Sequence, residues 1–369
     1  MMIVIVAAMR RLIALLTGTL VAAALAAAPS PANAAAAGWR VLDAPALVPT
    51  AELRLVSASA PGDVWVHGVE ALRCGPGCSV PTGNPVLRQW TGTAWRDHKP
   101  PAVDLHTVTA LEAAAPDDVW VAGGTPYAPF VTHWNGAGWE RPEFAFQHPG
   151  AFPAVEAGPD GVWVAVNGVN GGAVVHRRAG GRWESSAVPG VRVHRIVART
   201  ATDVWALAAP AGVHTDGWGA FLLRSTDGRA WSRVDVPGAP GKDIRLTSVA
   251  PRGAADVVVS GEAVGGDGTR VPLFKRWDGA AWADLPDPQR LGGARRLSAD
   301  RDGVLWDVAG GSVLAYRDGA WTSTPAPRSG TTQEVRLLSL AVVPGASAVY
   351  VAGGGKGHLL TGAYLAAGG

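Results

Sequence analysis

Beyond its first 34 residues, the chain consists of short apolar stretches separated by turn residues. In "DVWVAG", residues 118–123, a strand would place Val119 and Val121 on one face. Trp120 and Ala122 would lie on the other face, so both faces are apolar. A sheet with one solvated face would alternate with polar residues. The pattern therefore predicts strands that are covered on both sides.

The same apolar phrase returns seven times along the chain. It reads "APGDVWVHG" from residue 60, "APDDVWVAG" from 115, "GPDGVWVAV" from 158, "TATDVWALA" from 200, "GAADVVVSG" from 253, "DRDGVLWDV" from 300 and "GASAVYVAG" from 345. Each of the first six copies is followed by a second phrase with a glycine turn and a tryptophan, such as "HWNGAGWER". These closing tryptophans are Trp95, Trp139, Trp183, Trp231, Trp282 and Trp321. Their spacing of roughly 40 to 50 residues is typical of a four-stranded repeat unit.

Each unit divides into four strands by its local chemistry. An apolar run such as "HTVTALEAAA" predicts the first strand, and the "DVW" phrase predicts the second. The third and fourth form a hairpin around Asn-Gly, Asp-Gly or Thr-Gly, where glycine supplies a positive φ. The seventh unit lacks a closing tryptophan, but "AGWRVLDAP" near the start contains Trp39 and matches a fourth strand. We therefore predict that residues 38–44 pair with strands from 336–365 and close a ring without an open sheet edge.

With these repeats, residues 35–369 resemble the seven-bladed β-propellers of exported bacterial proteins that carry DVW…W-[N/D]-G-x-x-W repeats. The chain is also similar to Asp-box propellers and to the central domain of galactose oxidase, because "STDGRAW" at 225–231 is similar to the Asp box. That phrase is one residue short of S-x-D-x-G-x-x-W and occurs in one unit. The expected fold is all-β, with seven four-stranded antiparallel blades closed by the N-terminal strand. Propellers host unrelated functions, so the resemblance implies no single activity.

Residues 1–34 have the features of a secretory signal peptide. Arg10 and Arg11 precede the apolar segment Leu12–Ala28, and Ala32-Asn33-Ala34 is a small-x-small cleavage site. We therefore expect a secreted protein with no membrane association after cleavage. The alternative is an uncleaved anchor, although the apolar segment is near the lower limit of about 17 residues for crossing a bilayer.

Charge and cysteine content restrict the classes of partner and site that we expect. The signal holds two of the 32 basic residues and no acidic residue, so the remaining chain carries 30 of each. It has no basic run interleaved with aromatic residues, and we expect no nucleic acid partner. Cys74 and Cys78 in "RCGPGCS" are the only cysteines, and export favours a disulfide between them. A metal site there would need further ligands, and none is near in sequence.

Most recurring residues are predicted to build the frame. Fifteen of the sixteen tryptophans occupy repeated positions, where we expect them to pack between blades. Aspartates recur before the second strand, at Asp63, Asp118, Asp203 and Asp256. We expect their carboxylates to accept amide hydrogen bonds within the preceding turn.

Site residues should be those that break the repeat, in loops from second to third strands and between blades. Trp218 in "GVHTDGWG" is the one tryptophan outside the repeats. Beside His214 and Asp216, its ring is a candidate to stack on a sugar or an aromatic ligand, unless it folds back on its own blade. The other ligand-binding candidates are Tyr127, Phe130, Glu262 and Asp267. The connections between blades contain further candidate site residues, which are His98, His106, His148, His194, Lys242, Asp243, Arg290 and Arg296.

Two functional hypotheses follow. The first is an exported, monomeric, non-enzymatic propeller that serves as a binding scaffold for a cell-envelope glycan or protein. The second is a secreted hydrolase or lyase whose groups meet at the centre of the ring. A sialidase Phe/Tyr-Arg-Ile-Pro phrase, a G-x-S-x-G elbow and an H-E-x-x-H motif are absent. His214 and Asp216 alone are a weak acid/base or metal signal. We therefore predict no catalytic residue, no metal and no cofactor, and favour the scaffold.

Overall fold

The structure, a computed structural model, describes residues 38–73, 82–125, 127–146, 152–168, 171–213, 218–238, 241–286, 297–328, 332–356 and 361–368. Within these ranges the chain forms seven four-stranded antiparallel sheets. A single 3₁₀ turn, Leu105–Thr107, is the helical element of the same ranges, and none of their helical structure could span a membrane. The predicted signal peptide and the Cys74–Cys78 pair lie outside the described residues.

The strands follow one another blade by blade. β1 is Arg40–Val41, which belongs to blade 7. Blade 1 contains β2 (Glu52–Ala60), β3 (Asp63–Arg73), β4 (Thr82–Trp90) and β5 (Trp95–Asp97). Blade 2 contains β6 (Val108–Ala115), β7 (Asp118–Thr125), β8 (Ala128–Trp134) and β9 (Trp139–Glu140). Blade 3 contains β10 (Ala154–Gly158), β11 (Gly161–Asn167), β12 (Gly172–Ala179) and β13 (Arg182–Pro189). Blade 4 contains β14 (Val191–Thr200), β15 (Asp203–Pro210), β16 (Phe221–Ser225) and β17 (Ser232–Val234). Blade 5 contains β18 (Lys242–Gly253), β19 (Asp256–Gly265), β20 (Arg270–Trp277) and β21 (Trp282–Asp284). Blade 6 contains β22 (Ser298–Ala299), β23 (Leu305–Ala309), β24 (Ser312–Arg317) and β25 (Ala320–Pro325). Blade 7 contains β26 (Glu334–Val342), β27 (Val349–Lys356) and β28 (Thr361–Gly368).

The blades form a closed ring around their first strands. The first strand of every blade contacts the first strand of the next, and β26 of blade 7 contacts β2 of blade 1. The fourth strand of blade 7 is β1 from the N-terminal end, which pairs with β28 through Arg40 opposite Ala367 and Val41 opposite Ala366. The predicted seven-bladed β-propeller, closed by its N-terminal strand, is confirmed.

Both faces of each second strand are buried, as their apolar residues predict. Val119 and Val121 of β7 pack in one core cluster with Trp65 of blade 1. Trp120 and Ala122, from the opposite face of the same strand, pack in a second cluster with residues of blade 3. One such cluster occupies each of the seven blade junctions. The hydrophobic core is therefore divided among the junctions rather than placed at the centre of the ring.

The repeated tryptophans pair across these junctions. Trp65 of blade 1 meets Trp139 of blade 2 edge to face, with ring centroids 6.2 Å apart. Trp120 and Trp183 make the same contact between blades 2 and 3, at 5.6 Å. The second-strand tryptophan of one blade therefore packs on the closing tryptophan of the next, which confirms the predicted packing between blades.

The repeated aspartates accept hydrogen bonds from side chains. The prediction that they accept from the amides of the preceding turn is therefore wrong. Asp118 accepts hydrogen bonds from the indole N–H of Trp120 at 2.6 Å and from His133 of the third strand at 2.8 Å. Asp203 likewise accepts from Trp205, two residues further on, at 3.2 Å. In blades 2 and 4 the Asp-x-Trp spacing thus places a carboxylate against a buried indole donor that would otherwise be unsatisfied, whereas Asp63 of blade 1 accepts from Ser59 and Gln89 instead.

Alternate connections define two ends of the ring. Because neighbouring strands are antiparallel, the loops from second to third strands and the connections between blades lie at one end, here called the loop face. The other two turns of each blade lie at the opposite face. At the opposite face, Asn135 and Asp278 each accept hydrogen bonds from the amides two and three residues on. Gly136 and Gly279 follow them with φ of 86° and 101°, which confirms the glycine turns.

Candidate ligand-binding face

The large apolar side chains that are exposed in the described residues lie at or near one end of the ring. In the described residues, the large apolar side chains that are exposed are Val48, Tyr127, Phe152, Val174, Val213 and Val271. Val48 and Phe152 are in connections between blades, and Tyr127 and Val213 follow second strands. Val174 and Val271 are within the first three residues of third strands. Four of the six therefore belong to the loop face, and Val174 and Val271 lie in strands next to it; together the six are spread over blades 1 to 5.

Trp218 is held on the loop face by a backbone link between two blades. The amide of Gly219, in the second-to-third-strand loop of blade 4, donates to the carbonyl of Leu246 at 2.8 Å. Leu246, in the first strand of blade 5, donates back to the Gly219 carbonyl at 2.7 Å. This two-way link fixes the half-buried Trp218 beside the next blade. The guanidinium of Arg245 lies 5.1 Å from the Trp218 ring centroid, within range of a cation–π interaction.

Glu262 connects this pair to a second arginine. Arg270 Nη1 lies 2.8 Å from Glu262 Oε1, whereas Arg245 Nη1 is 4.0 Å from the same oxygen. Glu262 is therefore bound mainly by Arg270. The predicted candidates Trp218 and Glu262 are brought together through Arg245, a residue that the sequence interpretation did not single out.

A β-bulge places Arg245 at this position. The first strand of blade 5 shifts register between Leu246 and Ser248, and Leu246 lies opposite Gly261. A Cβ on Gly261 would collide with the carbonyl oxygen of Arg245, so only glycine allows this close approach. Gly68, Gly123 and Gly353 accommodate the equivalent carbonyls of blades 1, 2 and 7. In the sequence, these glycines were the available signal for the bulge. Bulges commonly redirect side chains near functional sites.

The other predicted ligand-binding residues differ in how exposed they are. Tyr127 is 72% exposed on the loop of blade 2. Phe130, expected on the same loop, is 3% exposed, because β8 begins at Ala128 and turns this ring into the core between blades 1 and 2. Asp267 accepts hydrogen bonds from the amide and hydroxyl of Thr269, which lower the pKa of its carboxyl and shape the loop. His214 and Asp216 lie outside the described residues.

Several histidines of the blade connections belong to the frame or to its edges. His98 is buried against Trp65 with ring centroids 4.3 Å apart, and burial lowers its pKa to about 4. Burial, and then the charge of Arg192, lower the pKa of His194 to about 4. His106 is exposed and Asp243 is exposed, whereas Lys242 is half-buried. His148, Arg290 and Arg296 lie outside the described residues.

The inner wall of the ring carries a carboxyl with an altered pKa. Burial, and then the negative charge of Glu112 on blade 2, raise the pKa of Glu156 on blade 3 to about 8. The Glu156 carboxyl accepts a hydrogen bond from the amide of Ala198 on blade 4 at 3.2 Å. Ser57 occupies the equivalent position in blade 1 and accepts from the Ala113 amide of blade 2 at 2.9 Å. Glu156 therefore ties neighbouring blades together.

We expect the variant Glu156→Gln to be more stable than the parent protein at high pH. The pKa of Glu156 is raised on folding, so the parent's free energy of unfolding falls as pH rises from about 4.5 to about 8. An amide oxygen can still accept from Ala198 and carries no charge. Because one pKa unit corresponds to about 1.4 kcal/mol, we expect a gain of about 1 to 3 kcal/mol near pH 8.5 and little gain near pH 5. Urea unfolding at both pH values measures the difference.

Three histidines whose pKa is lowered by burial do not affect this comparison. His67, His98 and His194 have a pKa lowered to about 4, so stability falls as pH drops from about 6.5 to about 4. That loss is common to both proteins and cancels in their difference. An equal stability difference at the two pH values would show that Glu156 is ionised throughout.

Comparisons with known proteins agree on the class of fold. No protein-family model matches the sequence, and no curated protein matches it. A catalytically inactive virginiamycin B lyase from Staphylococcus aureus with quinupristin is similar at 10% identity over 89% of this chain and 98% of its own, with a TM-score of 0.55. YCF48 bound to D1 peptide is similar at 16% identity over 90% and 96%, also with 0.55. U3-55K is similar at 9% identity over 90% and 99%, with 0.54. At these identities, the similarities establish the fold and no activity: the chain is a seven-bladed β-propeller.

Proposed function

We propose that the protein is an exported, non-enzymatic scaffold that binds a partner from the cell envelope on its loop face. The observation that carries this proposal is that the exposed large apolar side chains of the described residues lie on that face or in the strands next to it. Exposed apolar surface is a feature of interaction sites. Export rests on the signal features of residues 1–34.

The arrangement of polar groups agrees with recognition at this face. Trp218 offers a half-buried aromatic face beside the Arg245 guanidinium. Both residue types are frequent in the parts of interfaces that contribute most to affinity. YCF48, which has a similar fold, is bound to D1 peptide in its structure, and we take this as support for a propeller used in recognition. We therefore favour a protein partner over a glycan.

The hydrolase or lyase alternative has one observation in its favour. A carboxyl such as Glu156, with a pKa of about 8 beside a second carboxyl, can serve as a general acid at neutral pH. The hydrogen bond from the Ala198 amide and the equivalent role of Ser57 favour a structural function instead. Among the described residues, no three His, Cys, Asp or Glu side chains are grouped so as to hold a metal.

We expect substitutions on the loop face to abolish binding. Purified residues 35–369 are tested against a glycan array and a displayed library of random peptides. A variant with Tyr127→Ser, Val213→Ser and Val271→Ser removes three exposed apolar side chains from blades 2, 4 and 5. Because such side chains are buried on binding, we expect at least about a tenfold loss of affinity for the selected ligands.

A matched control alters the opposite face. Ala137 and Ala280 are exposed in turns between third and fourth strands, and Ala320 is exposed at the start of the fourth strand of blade 6; each is replaced by Ser. We expect this variant to bind as the parent does. Equal binding by the loop-face variant, or a loss in the control alone, would contradict the proposed face. Ligands from the glycan array alone would assign the partner to glycans rather than proteins.

A further inference from the structure

Blade 3 ends in an outer strand that is much longer than those of most other blades. β13 has 8 residues, Arg182–Pro189, whereas the fourth strands of blades 1, 2, 4, 5 and 7 have 2 or 3 residues each. The two-residue turn Gly180–Gly181, with φ of 57° and 75°, lets the pairing with β12 begin directly between Ala179 and Arg182. Because the first strands surround the centre of the ring, β13 forms the outer edge of its blade.

The hydrogen-bonding pattern shows which backbone groups of β13 point away from the blade. In an antiparallel pair, hydrogen-bonded and non-hydrogen-bonded residue pairs alternate. The Gly190 amide donates to the Gly171 carbonyl at 2.8 Å, and the register continues without a shift, so the even-numbered residues of β13 bond to β12. The residues whose N–H and C=O groups point outward are therefore Trp183, Ser185 and Ala187.

These outward groups form an open sheet edge. Among the described residues, no hydrogen bond involves them, and no described strand lies on this side of β13. Ser185 and Ala187 are exposed, and the segment from Ser185 to Val188 contains neither a charge nor a proline. Natural sheet edges are usually protected by short strands, charges or prolines. The length and composition of β13 are therefore suited to accept a further strand.

An exposed apolar side chain lies beside this edge. Val174 of β12 is opposite Ala187 and is 38% exposed. By strand alternation it shares a blade face with His176 and Trp183. Both of those rings contact Phe144 from the connection after blade 2, with centroids 4.8 and 5.2 Å apart, whereas Val174 stays exposed. Val174 thus offers an apolar contact to the side chains of an added strand.

We propose that the outer edge of blade 3 binds an extended segment of a partner protein, which adds to β13 as a fifth strand. Main-chain hydrogen bonds to the three outward residues give affinity, and an apolar side chain of the segment packs on Val174. The other blade face carries Glu184, which accepts hydrogen bonds from Arg229 at 2.8 and 2.9 Å and favours a polar residue there. The segment therefore alternates apolar and polar residues. This surface is separate from the loop face and goes beyond the proposed function.

A partner segment fits this edge better than a second copy of the chain. The antiparallel pairing of two β13 strands that uses every outward residue is centred on Ser185. It places the two Glu184 side chains diagonally across the pair on one face, where like charges repel. A partner segment avoids this contact because its own residue can be uncharged.

The test begins with a displayed library of random peptides. The bait is residues 35–369 with Tyr127→Ser, Val213→Ser and Val271→Ser, so that peptides dependent on the loop face are not recovered. Affinity is then measured for the unsubstituted protein and for Ser185→Pro. Proline is tolerated in an edge strand where its missing N–H would face solvent, but it removes a donor and blocks an added strand. We expect Ser185→Pro to lower affinity at least about tenfold.

Ser323→Pro is the matched control. Ser323 has the corresponding outward position in β25, the 6-residue fourth strand of blade 6, and its substitution should leave affinity unchanged. Val174→Ser should lower affinity about threefold to tenfold, because an apolar contact is lost. Thermal unfolding of every variant confirms folding before binding is interpreted.

N-methylation of the selected peptide distinguishes strand pairing from other contacts. In a bound strand, every second N–H faces β13. Methyl groups on that set of amides should lower affinity at least about tenfold, and methyl groups on the other set should change it less than about threefold.

The outcomes decide between the possible occupants. Loss of affinity in Ser185→Pro together with the alternating effect of methylation would support the proposal. Failure to recover a peptide, full affinity in Ser185→Pro, an equal loss in Ser323→Pro, or the same effect of both methylation sets would overturn it. Dimerisation of the unsubstituted protein that Ser185→Pro abolishes, with no peptide recovered, would assign the edge to a second copy instead. Because the bait has an altered loop face, each of these failures leaves the proposed function standing.

Discussion

A chain that begins at Pro45 is expected to lose ring closure and to aggregate. This truncation removes β1, whose backbone pairs with β28, and the side chain of Trp39. Trp39 packs against Trp306 of blade 6 with ring centroids 6.2 Å apart. Loss of a large aromatic contact costs about 3 to 5 kcal/mol, and the unpaired edge of β28 becomes available to other chains. Thermal unfolding and light scattering measure both effects.

Adding the missing strand separately provides the control. A peptide of residues 36–46 should raise the melting temperature of the truncated chain in a concentration-dependent way, because it binds the folded state alone. A scrambled peptide should have no effect. A truncated chain as stable and soluble as the full one would contradict closure by the N-terminal strand.

Replacing Trp65 by Ala is expected to lower the free energy of unfolding by about 3 to 5 kcal/mol. Trp65 is fully buried between blades 1 and 2, where it contacts Trp139 and His98. Its indole N–H has no partner among the described residues, unlike that of Trp120, which donates to Asp118. We therefore expect Trp65→Phe, which keeps an aromatic six-membered ring and loses no hydrogen bond but leaves a smaller cavity, to cost less than Trp65→Ala, about 1 to 2 kcal/mol. Chemical unfolding measures both variants.

Trp218→Ala is the matched control for this prediction. Trp218 is half-buried on a loop and contacts Arg245, so its removal should cost about 1 kcal/mol or less. If Trp65→Ala and Trp218→Ala were equally mild, the division into frame and site tryptophans would be wrong.

The fold could be predicted because each blade repeats the same local chemistry. One fold, the propeller, accounts for three features together: the two apolar faces of "DVWVAG", the glycine turns and the displaced fourth strand with Trp39. The aspartates were harder, since a carboxylate can accept from a turn amide or from an indole two residues away. Asp300 of blade 6 accepts from both kinds of donor, the amides of Asp302 and Val304 and the indole of Trp306, which is six residues further on.

The candidate site was predictable only in part. Trp218 broke the repeat and was found, but its partner Arg245 is far along the chain and depends on the Gly219–Leu246 link between blades. No sequence motif marks such a backbone link. Phe130 was misplaced because the sequence does not mark where the loop ends and β8 begins. Because β8 begins at Ala128, two residues before Phe130, a candidate ligand contact becomes a core residue.

Amide hydrogen exchange with and without a selected ligand tests the binding role of the loop face most directly. The scaffold function predicts slower exchange at 218–219, 244–246 and 262–270 when ligand is bound, with no change in the turns at 91–94, 135–138 and 278–281. Protection confined to those turns, which lie on the opposite face, would contradict it.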